Sequence, residues 1–485
     1  MSTAIAPPVT RKAFRVGITS PPRTLDPHAA SDTISALVIN QIFQTPYVFH
    51  SRPDVAEPLL FSEPLREEAG LERYTCWSAS IRNDVHFSDG TPLTAELAAR
   101  ALNRASGNDG SARFEAKGDR VWIRLREPNA RYAWILAQTN YGIALQKGSA
   151  LLGTGAFMLD PADGMNGRKE TMRLVANPFH AGQLPFEEIE FRVFPAGSDG
   201  SPSALIEAIR GGDVDFTNAL QMEEVTRNRL PMVPTLHPGD STGFLFFNTE
   251  SAAFSNRMVR KAIAHALVVE KIAEQTFDRN PVAFVASGYL PPIMGKHRGT
   301  IRQDPVATQA IFNTKGVTRP TRVSLLIPWG PRPYLPKPLP VGREIARQLG
   351  AIGIAVDLKI PQTPGEFFDS LVRGDWDLAL AGWVADNPDP VEYLCALLSS
   401  SNVPTTEFRP NVARFRNDAV DAALRTFRLD PSEPVLRSII DLLLEEVPLI
   451  PLIDAPNVTV RSRRVHGSPI PVTGIPTFAE FDCAA

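Results

Sequence analysis

The chain has 485 residues, of which 43% are hydrophobic and 21% are charged, and its formal net charge is −3. This composition is that of an ordinary soluble globular protein, and the length predicts two or three domains of about 150 residues each. The slightly negative charge excludes the basic footprint of a nucleic-acid-binding protein. No stretch approaches the roughly 18 apolar residues of a transmembrane helix, so we expect no direct membrane span.

The residue types that bind metals or act as nucleophiles are few and dispersed. The three cysteines, Cys76, Cys395 and Cys483, lie far apart, which excludes a CxxC redox motif and a zinc knuckle. Cys395 belongs to the apolar run 394–398, which predicts a buried structural thiol. No pair among the eight histidines has the spacing of metal ligands. We therefore predict no metal site, no cofactor and no catalytic residue.

The first third of the chain shows strand and helix patterns separated by turn signals. Asp89-Gly90 indicates a turn, and Thr94 suits the N-cap of the helix that follows. Gly153-Thr154-Gly155 predicts a tight turn entering a strand, because Met158 occupies the position where a dinucleotide-binding GxGxxG motif requires glycine. In chain order, the predicted elements are a strand at 14–19, a helix at 31–44, and strands at 74–83 and 121–126.

The rest of the chain continues this alternation, which is typical of an α/β protein. Val259, Ala262, Ile263 and Ala266 recur at helical spacing and predict one amphipathic helix over 257–276. The other predicted elements are a helix and a short strand within 203–216, a strand at 244–248, a β-α-β unit (strand 323–327, helix 341–351, strand 354–360), a strand at 377–381 and a helix over 435–443.

One segment matches a hydrolase motif but lacks its structural context. Residues 239–243 read Gly-Asp-Ser-Thr-Gly, which fits the GxSxG pattern of a nucleophile elbow. An elbow requires a strand before the serine and a helix directly after it. Here an apolar strand pattern at 244–248 follows instead, so we predict a turn at 239–243 rather than a nucleophile.

Two charged residues directly follow predicted strands. Asp386 lies just after the strand at 377–381, and Arg332 lies just after the strand at 323–327. In open α/β sheets, ligands bind outside the carboxyl ends of the strands, so both residues are candidates for holding a charged ligand. The alternatives stay open at this point, since Asp386 could cap its local turn and Arg332 could be an ordinary surface arginine.

Several segments in a fixed order resemble family 5 solute-binding proteins, the peptide- and nickel-type receptors of ABC importers. Each segment is weak by itself, and their combined order and spacing carry the resemblance over nearly the whole chain. The segments are LDP (25–27), FSDGTPLTAE (87–96), GTGAF (153–157), AIRGGDVDF (208–216), FLFFNT (244–249), RKAIAHAL (260–267), GWVADNPDP (382–390) and EEVPLIPL (445–452).

The segment RPYLP at 332–336 is similar to the RPYNP-type segment of the dipeptide-binding branch. The resemblance implies that Arg332 binds the carboxylate of a peptide, that Asp386 binds its ammonium group, and that Tyr334 and Trp383 line the pocket. A dipeptide spans about 7 Å, so fixing both of its charged ends would select ligand length. Arginine suits the first role because its planar fork matches a carboxylate.

The resemblance implies a bilobed α/β fold like that of periplasmic binding proteins, closing on its ligand by a hinge motion. It predicts a main lobe made of 13–45, 150–250 and 465–485, and an inserted subdomain at 46–149. The second lobe, 251–464, would carry both ligand anchors. We expect a monomer that captures a dipeptide or a similar small zwitterion and delivers it to the permease of an ABC importer.

Other readings remain open from the sequence. Relatives of this kind are periplasmic or extracellular, but the N-terminal residues lack the apolar region of a signal peptide, which predicts the cytoplasm if the sequence is complete. A leaderless relative would act as an intracellular ligand sensor, or as an enzyme that reuses the binding cleft in a biosynthetic pathway. The resemblance also permits haem, aminolaevulinate-like molecules, nickel complexes or sugars as ligands.

Overall fold

A computed structural model describes residues 11–30, 32–50, 55–69, 72–107, 111–162, 170–197, 201–276, 284–295, 299–466 and 474–483. The chain divides into two compact units, Met1–His237 with Asn457–Ala485, and Pro238–Pro456. Both boundaries fall inside long strands, β14 (Met232–Phe247) and β18 (Leu449–Ser462). The second lobe expected from the sequence, 251–464, begins just after the end of β14 and ends just after the end of β18. The division of the chain into three parts stays a prediction.

The first unit contains a mixed sheet with the strand order β10 (Phe157–Leu159), β11 (Thr171–Ala176), β12 (Phe186–Val193), β1 (Arg11–Ile18) and β13 (Phe216–Thr217), in which β1 is parallel to β12 and to β13. Counting its smaller sheets as well, the described strands of the first unit are β1 (Arg11–Ile18), β2 (Tyr47–Val48), β3 (Glu57–Pro58), β4 (Arg66–Glu67), β5 (Cys76–Ser80), β6 (Ala112–Lys117), β7 (Arg120–Leu125), β8 (Leu145–Lys147), β9 (Ala150–Leu152), β10 (Phe157–Leu159), β11 (Thr171–Ala176), β12 (Phe186–Val193), β13 (Phe216–Thr217), β19 (Val465–His466) and β20 (Asp482–Cys483). The helices are α1 (Thr33–Ile42), α2 (Ala95–Ala105), α3 (Tyr132–Ile135), α4 (Ser203–Arg210) and α5 (Met222–Arg227).

A second sheet in this unit, with the order β4-β5-β7-β6, is antiparallel throughout and packs against α2. The turn and cap predicted before α2 are confirmed. Gly90 has a φ of +83°, a left-handed backbone that glycine adopts without steric cost. The Thr94 side chain accepts a hydrogen bond from the backbone N–H of Leu97 at 3.3 Å, which satisfies one of the free donors at the helix start.

The second unit contains β14 to β18 and eight helices among its described residues. Strand β14 is antiparallel to β17 (Leu378–Val384), and β15 (Arg322–Leu326) lies between β17 and β16 (Ala355–Lys359) and is parallel to both. The predicted β-α-β unit is thereby confirmed. The further elements are β15 (Arg322–Leu326), β16 (Ala355–Lys359), β17 (Leu378–Val384), α6 (Arg257–Ala266), α7 (Val269–Ala273), α8 (Pro305–Phe312), α9 (Pro338–Ala351), α10 (Pro364–Arg373), α11 (Pro390–Leu398), α12 (Asp418–Leu429) and α13 (Glu433–Glu446).

This arrangement decides where the ligand candidates lie. Because β15 and β17 are parallel neighbours, their carboxyl ends emerge at the same edge of the sheet. Arg332 follows β15 and Asp386 follows β17, so the fold brings both residues to that one edge. We call it the carboxyl edge.

Two predictions of local structure are wrong. The single helix predicted over 257–276 is interrupted at Leu267 and Val268, which have extended backbones. There the Val268 backbone N–H donates to the side-chain oxygen of Gln348 at 2.7 Å, and the Gln348 amide donates back to the Val268 carbonyl at 3.3 Å. A tertiary contact from α9 thus replaces helical hydrogen bonds, which a periodicity analysis cannot detect.

The turn predicted at 239–243 is also wrong, because these residues lie inside the continuous strand β14. A Cβ added at Gly239 would lie 1.9 Å from the carbonyl oxygen of Ala455. The first glycine of the segment therefore serves a close approach of two backbones, not a reversal of the chain.

Candidate functional site

The Arg332 loop is held at the carboxyl edge by its own backbone. Arg332 and Leu335 exchange two backbone hydrogen bonds, of 3.0 Å and 2.9 Å, which close a tight turn over Pro333 and Tyr334. Pro331 precedes the turn, and the fixed φ of the prolines limits its alternative conformations. Leu335 and Tyr334 are both buried. The loop is therefore a rigid support for the Arg332 side chain.

Aromatic rings set the position of the Arg332 guanidinium. Its central carbon lies 4.7 Å from the centre of the Trp329 ring and 5.9 Å from that of Tyr334. Trp329 is in turn packed against Phe367 at 5.6 Å and Phe368 at 6.1 Å between ring centres. Stacking of this kind uses the flat face of a guanidinium and leaves the N–H groups in its plane to donate hydrogen bonds.

Arg332 lacks a counter-ion in the part of the chain that the structure describes. Its Nε atom is buried and has no hydrogen-bond partner, and no described carboxylate forms an ion pair with the side chain. Its neighbour Tyr334 is neutral, since burial raises the pKa of the phenol, with a smaller opposing effect of the nearby guanidinium. The arrangement suits an incoming anion, in particular a planar carboxylate.

Asp386 lies two residues beyond β17, in a segment where other side chains accept the hydrogen bonds of the local backbone. The Asn387 side chain accepts a hydrogen bond from the backbone N–H of Asp389 at 2.7 Å. Asp389 in turn is the N-cap of α11, accepting from the backbone N–H of Val391 at 3.1 Å. No described residue forms a hydrogen bond or ion pair with the Asp386 carboxylate. The alternative of a local capping aspartate therefore applies to Asp389, not to Asp386.

The environment of Asp386 disfavours its negative charge. The side chain is accessible to solvent, yet the protein around it displaces enough hydration to raise its pKa to about 6. Repulsion by the carboxylates of Glu392 and Asp240 adds to this shift. A ligand cation beside Asp386 would offset both effects by its attraction to the ionised carboxylate, so an ammonium group suits this position.

Trp383 and Tyr334 lie on adjacent parts of the same edge. Trp383 is half-buried and pairs with Thr242 across β14 and β17. Its backbone carbonyl accepts a hydrogen bond from the buried Tyr393 hydroxyl at 3.3 Å. The Tyr334 ring lies directly against Gly382, the residue before Trp383. The structure thus brings Arg332 and Tyr334 together, and it places Trp383 next in sequence to the glycine that the Tyr334 ring covers.

The sequence analysis missed two residues at this edge. Trp329 supports the guanidinium, and its place three residues before Arg332 is the signal that could have identified it. Asp454 is buried and accepts hydrogen bonds from the Thr242 hydroxyl at 2.7 Å and from the backbone N–H of Ser287 at 3.3 Å. Burial raises its pKa to about 6. No local pattern points to Asp454, because its partners are far away in sequence.

The candidate nucleophiles, Ser241 and Cys395, lie in surroundings that suit a structural role. Ser241 is buried within β14, without the strand-to-helix turn of a nucleophile elbow. The predicted burial of Cys395 is confirmed, and burial raises the pKa of its thiol to about 12, so the reactive thiolate is not formed at neutral pH. Among the described residues, no three His, Cys, Asp or Glu side chains are grouped to hold a metal ion.

Within the described ranges, no helix is both long and apolar enough to cross a membrane.

Comparison with known sequences gives one family and a set of curated relatives. The family described as bacterial extracellular solute-binding proteins, family 5 (middle), matches residues 71–405. The dipeptide-binding protein of Pseudomonas aeruginosa is 23% identical over 293 residues, which cover 58% of this chain and 52% of that protein. The chain thus matches about half the length of this relative. The glutathione-binding protein GsiB of Salmonella choleraesuis is 24% identical over 96% of this chain and 93% of its own length.

Solved structures share the fold over almost the entire chain. A dipeptide-binding protein from Pseudoalteromonas sp. SM9913, in complex with Met-Leu, superimposes with a TM-score of 0.77 at 18% identity and covers 98% of this chain and 100% of its own. At this identity the likeness establishes the fold alone. The α/β periplasmic-binding-protein fold expected from the sequence is thereby confirmed.

Proposed function

The chain belongs to family 5 of the bacterial extracellular solute-binding proteins, and from this premise we propose that it captures a dipeptide or a similar small zwitterion for an ABC importer. The observation that carries the ligand class is the pair of unmatched charges at the carboxyl edge. Arg332 and Asp386 each lack an ion-pair partner among the described residues, the Nε atom of Arg332 is buried without a hydrogen-bond partner, and the pKa of Asp386 is raised by burial. A ligand with a carboxylate and an ammonium group supplies both partners.

The two anchors differ in how they recognise their ends of the ligand. Arg332 offers a stacked, planar set of N–H donors, which matches the two oxygens of a carboxylate. Asp386 offers a carboxylate whose ionisation is disfavoured until a cation approaches. Tyr334 and Trp383 are proposed to line the space between them. Because neither anchor reads a side chain, we expect loose selectivity among dipeptides.

The remaining parts of the proposal concern place, partner and chemistry. We propose that the protein acts in the periplasm or outside the cell, as the description of its family indicates, and that its partner is an importer permease. We further propose binding without conversion, so the ligand should be recovered unchanged by mass spectrometry. Fractionation of the native host tests the location, since a purely cytoplasmic pool would favour the intracellular sensor instead.

We also propose that residues 46–149 form an inserted subdomain within the first unit. Support comes from a separate hydrophobic cluster whose buried members run from Tyr47 to Leu145, and from the four-stranded sheet of β4, β5, β7 and β6. An independent core of this kind is what a subdomain requires. Limited proteolysis followed by mass spectrometry would show whether a fragment with these limits survives as a unit.

The decisive experiment measures ligand binding with each end of the ligand blocked in turn. Protein refolded free of ligand is titrated by calorimetry with Ala-Ala, N-acetyl-Ala-Ala and Ala-Ala-amide. Tight binding of the free dipeptide, with loss of affinity for both blocked forms, supports the two-anchor site. Equal binding of all three would contradict it, and binding of none would direct the search to the non-peptide ligands that the family permits.

A further inference from the structure

We infer that Gly243 and Gly382 are positioning residues for Arg332, because together they form the seat on which the Arg332–Leu335 turn rests. The inference rests on the proposed role of Arg332 in binding the ligand carboxylate. It also gives a role to the Gly-Asp-Ser-Thr-Gly segment at 239–243, whose final glycine is Gly243.

The two glycines lie side by side on neighbouring strands. Gly243 of β14 and Gly382 of β17 are register partners in the antiparallel ladder. Because side chains alternate across a sheet, a directly paired position presents the same face on both strands. The pair therefore leaves a patch of bare backbone on one face of the sheet.

Tyr334 occupies this patch at very short range. A Cβ added at Gly243 would lie 2.5 Å from the carbonyl oxygen of Tyr334. A Cβ added at Gly382 would lie 2.4 Å from the Tyr334 Cγ and 2.6 Å from the carbonyl oxygen of Thr242. Real side chains do not tolerate such distances, so any larger residue would force the Tyr334 segment away from the sheet.

Close approach, and not backbone conformation, explains glycine at these positions. Neither Gly243 nor Gly382 has a left-handed φ, so another residue could adopt the same backbone conformation. Glycine in the interior of a strand weakens the strand, and its usual justification is the near approach of another backbone or a ligand. Tyr334 is that neighbour for both residues.

A shift of Tyr334 would be transmitted to Arg332 through the turn between them. Tyr334 lies inside the turn that the two backbone hydrogen bonds of Arg332 and Leu335 close. Leu335 is fixed in the core, and the guanidinium of Arg332 lies beside the Tyr334 ring. Binding groups lose effect when displaced by more than about 0.5 Å. The glycine pair thus determines how close the turn lies to the sheet, and through it the position of the Arg332 guanidinium.

The test uses Gly243→Ala, because the two nearest neighbours of its added Cβ are both atoms of Tyr334. Dissociation constants for Ala-Ala and Ala-Ala-amide are measured by calorimetry. We expect the variant to bind Ala-Ala at least tenfold more weakly and Ala-Ala-amide unchanged, so the preference for a free carboxylate shrinks. Gly330→Ala is the matched control, since its Cβ would meet no atom within 4 Å, and its preference should equal that of the parent protein.

A double-mutant cycle separates positioning from a general loss of structure. If Gly243 acts through Arg332, then Gly243→Ala has no further effect on affinity in an Arg332→Ala background. An equal loss of affinity for both ligands, or a full additional loss in that background, would overturn the inference while leaving the proposed function intact. Gly382→Ala serves as the second variant if Gly243→Ala does not fold. If Arg332→Ala itself keeps the preference for the free carboxylate, both the proposed function and this inference fail.

Discussion

The carboxyl edge differs from a polar cavity of about 490 Å³ that lies elsewhere in the Pro238–Pro456 unit. The charged side chains of this cavity are bonded to other groups of the protein. Its lining includes three cationic and three acidic side chains: Lys359, Arg373, Arg414, Glu250, Asp375 and Asp377. Arg414 donates to Glu250 at 2.6 Å, and Arg373 donates to Asp375 at 2.9 Å. Lys359 donates to the backbone carbonyl of Asp375. Two of the three cations in this lining are therefore paired with carboxylates, and the third is hydrogen-bonded to the backbone.

Asp377, directly before β17, is satisfied by neutral hydrogen-bond donors. It accepts hydrogen bonds from the backbone N–H of Ser324 at 2.8 Å and from the hydroxyls of Ser324 and Ser251. A cavity whose charges are already satisfied offers a ligand little electrostatic gain, whatever its size. At the carboxyl edge the charges of Arg332 and Asp386 are unmatched, so a ligand gains where the cavity would not.

The largest expected effect is that of Arg332→Ala on ligand affinity. Removing one partner of a hydrogen-bonded charge pair costs about 2–5 kcal/mol, which is at least about thirtyfold in the dissociation constant. We expect this loss for Ala-Ala and almost none for Ala-Ala-amide, measured by calorimetry. Arg332→Lys should recover only part of the loss, because an ammonium group lacks the planar fork. If Arg332→Ala binds Ala-Ala with unchanged affinity, the carboxyl edge would have no better claim to be the ligand site than the polar cavity.

Asp386→Asn should weaken binding somewhat less. A hydrogen bond to a charged group contributes about 1.5–3 kcal/mol, so we expect a roughly ten- to hundredfold loss for Ala-Ala. N-acetyl-Ala-Ala, which has no ammonium group, should bind the variant and the parent protein equally. A variant that discriminates against the acetylated ligand as strongly as the parent would exclude Asp386 as the cation anchor.

Asp377→Asn should show the opposite behaviour, because Asp377 belongs to the satisfied cavity. Loss of its charge-assisted hydrogen bonds should lower the free energy of unfolding by about 1–3 kcal/mol, seen as a lower melting temperature. Affinity for Ala-Ala should stay within about twofold. Asp357→Asn is the matched control, since its exposed ion pair with Arg322 contributes no more than about 1 kcal/mol. A tenfold loss of affinity in Asp377→Asn would show that the cavity takes part in binding.

The pH dependence of affinity should be the smallest of these effects and the most specific. The ligand-free pKa of Asp386 is about 6, and an ammonium group binds only its ionised form. Affinity for Ala-Ala should therefore be nearly constant between about pH 6.5 and 7.5, where the carboxylate is ionised and the ammonium group of the ligand is charged, and it should fall up to about tenfold per pH unit below pH 6. In Asp386→Asn this slope should vanish, although Asp454 also has a pKa of about 6. A slope that persists in the variant would assign the titration to Asp454.

The same two carboxyl groups give a prediction for the ligand-free protein. Their pKa values are higher in the folded protein than the usual value of 3.8, so the folded state holds these protons more tightly than the unfolded chain. Their contribution to stability therefore rises as the pH falls through 6 towards 4. Chemical denaturation at pH 7 and pH 5 should show this gain shrinking in Asp386→Asn.

The sequence by itself determined most of the local elements and the two residues proposed as ligand anchors. The strand patterns before Arg332 and Asp386 were sufficient to place both residues just after strands, where ligands gather in α/β sheets. The turn at Gly90 and the cap at Thr94 followed from local backbone chemistry, and the structure confirms them. Such features depend on a few neighbouring residues, so they can be predicted from the chain alone.

Only the tertiary structure decided how distant segments act on one another. Gln348 interrupts the helix predicted over 257–276 from 80 residues away. Asp454 is buried and accepts a hydrogen bond from Thr242, which is far away in sequence. Gly243 and Gly382 leave the space that Tyr334 occupies. Parallel pairing of β15 with β17 brings Arg332 and Asp386 to one edge. The physical reason is the same in each case, because burial, close approach and charge environment are properties of contacts between residues far apart in the chain.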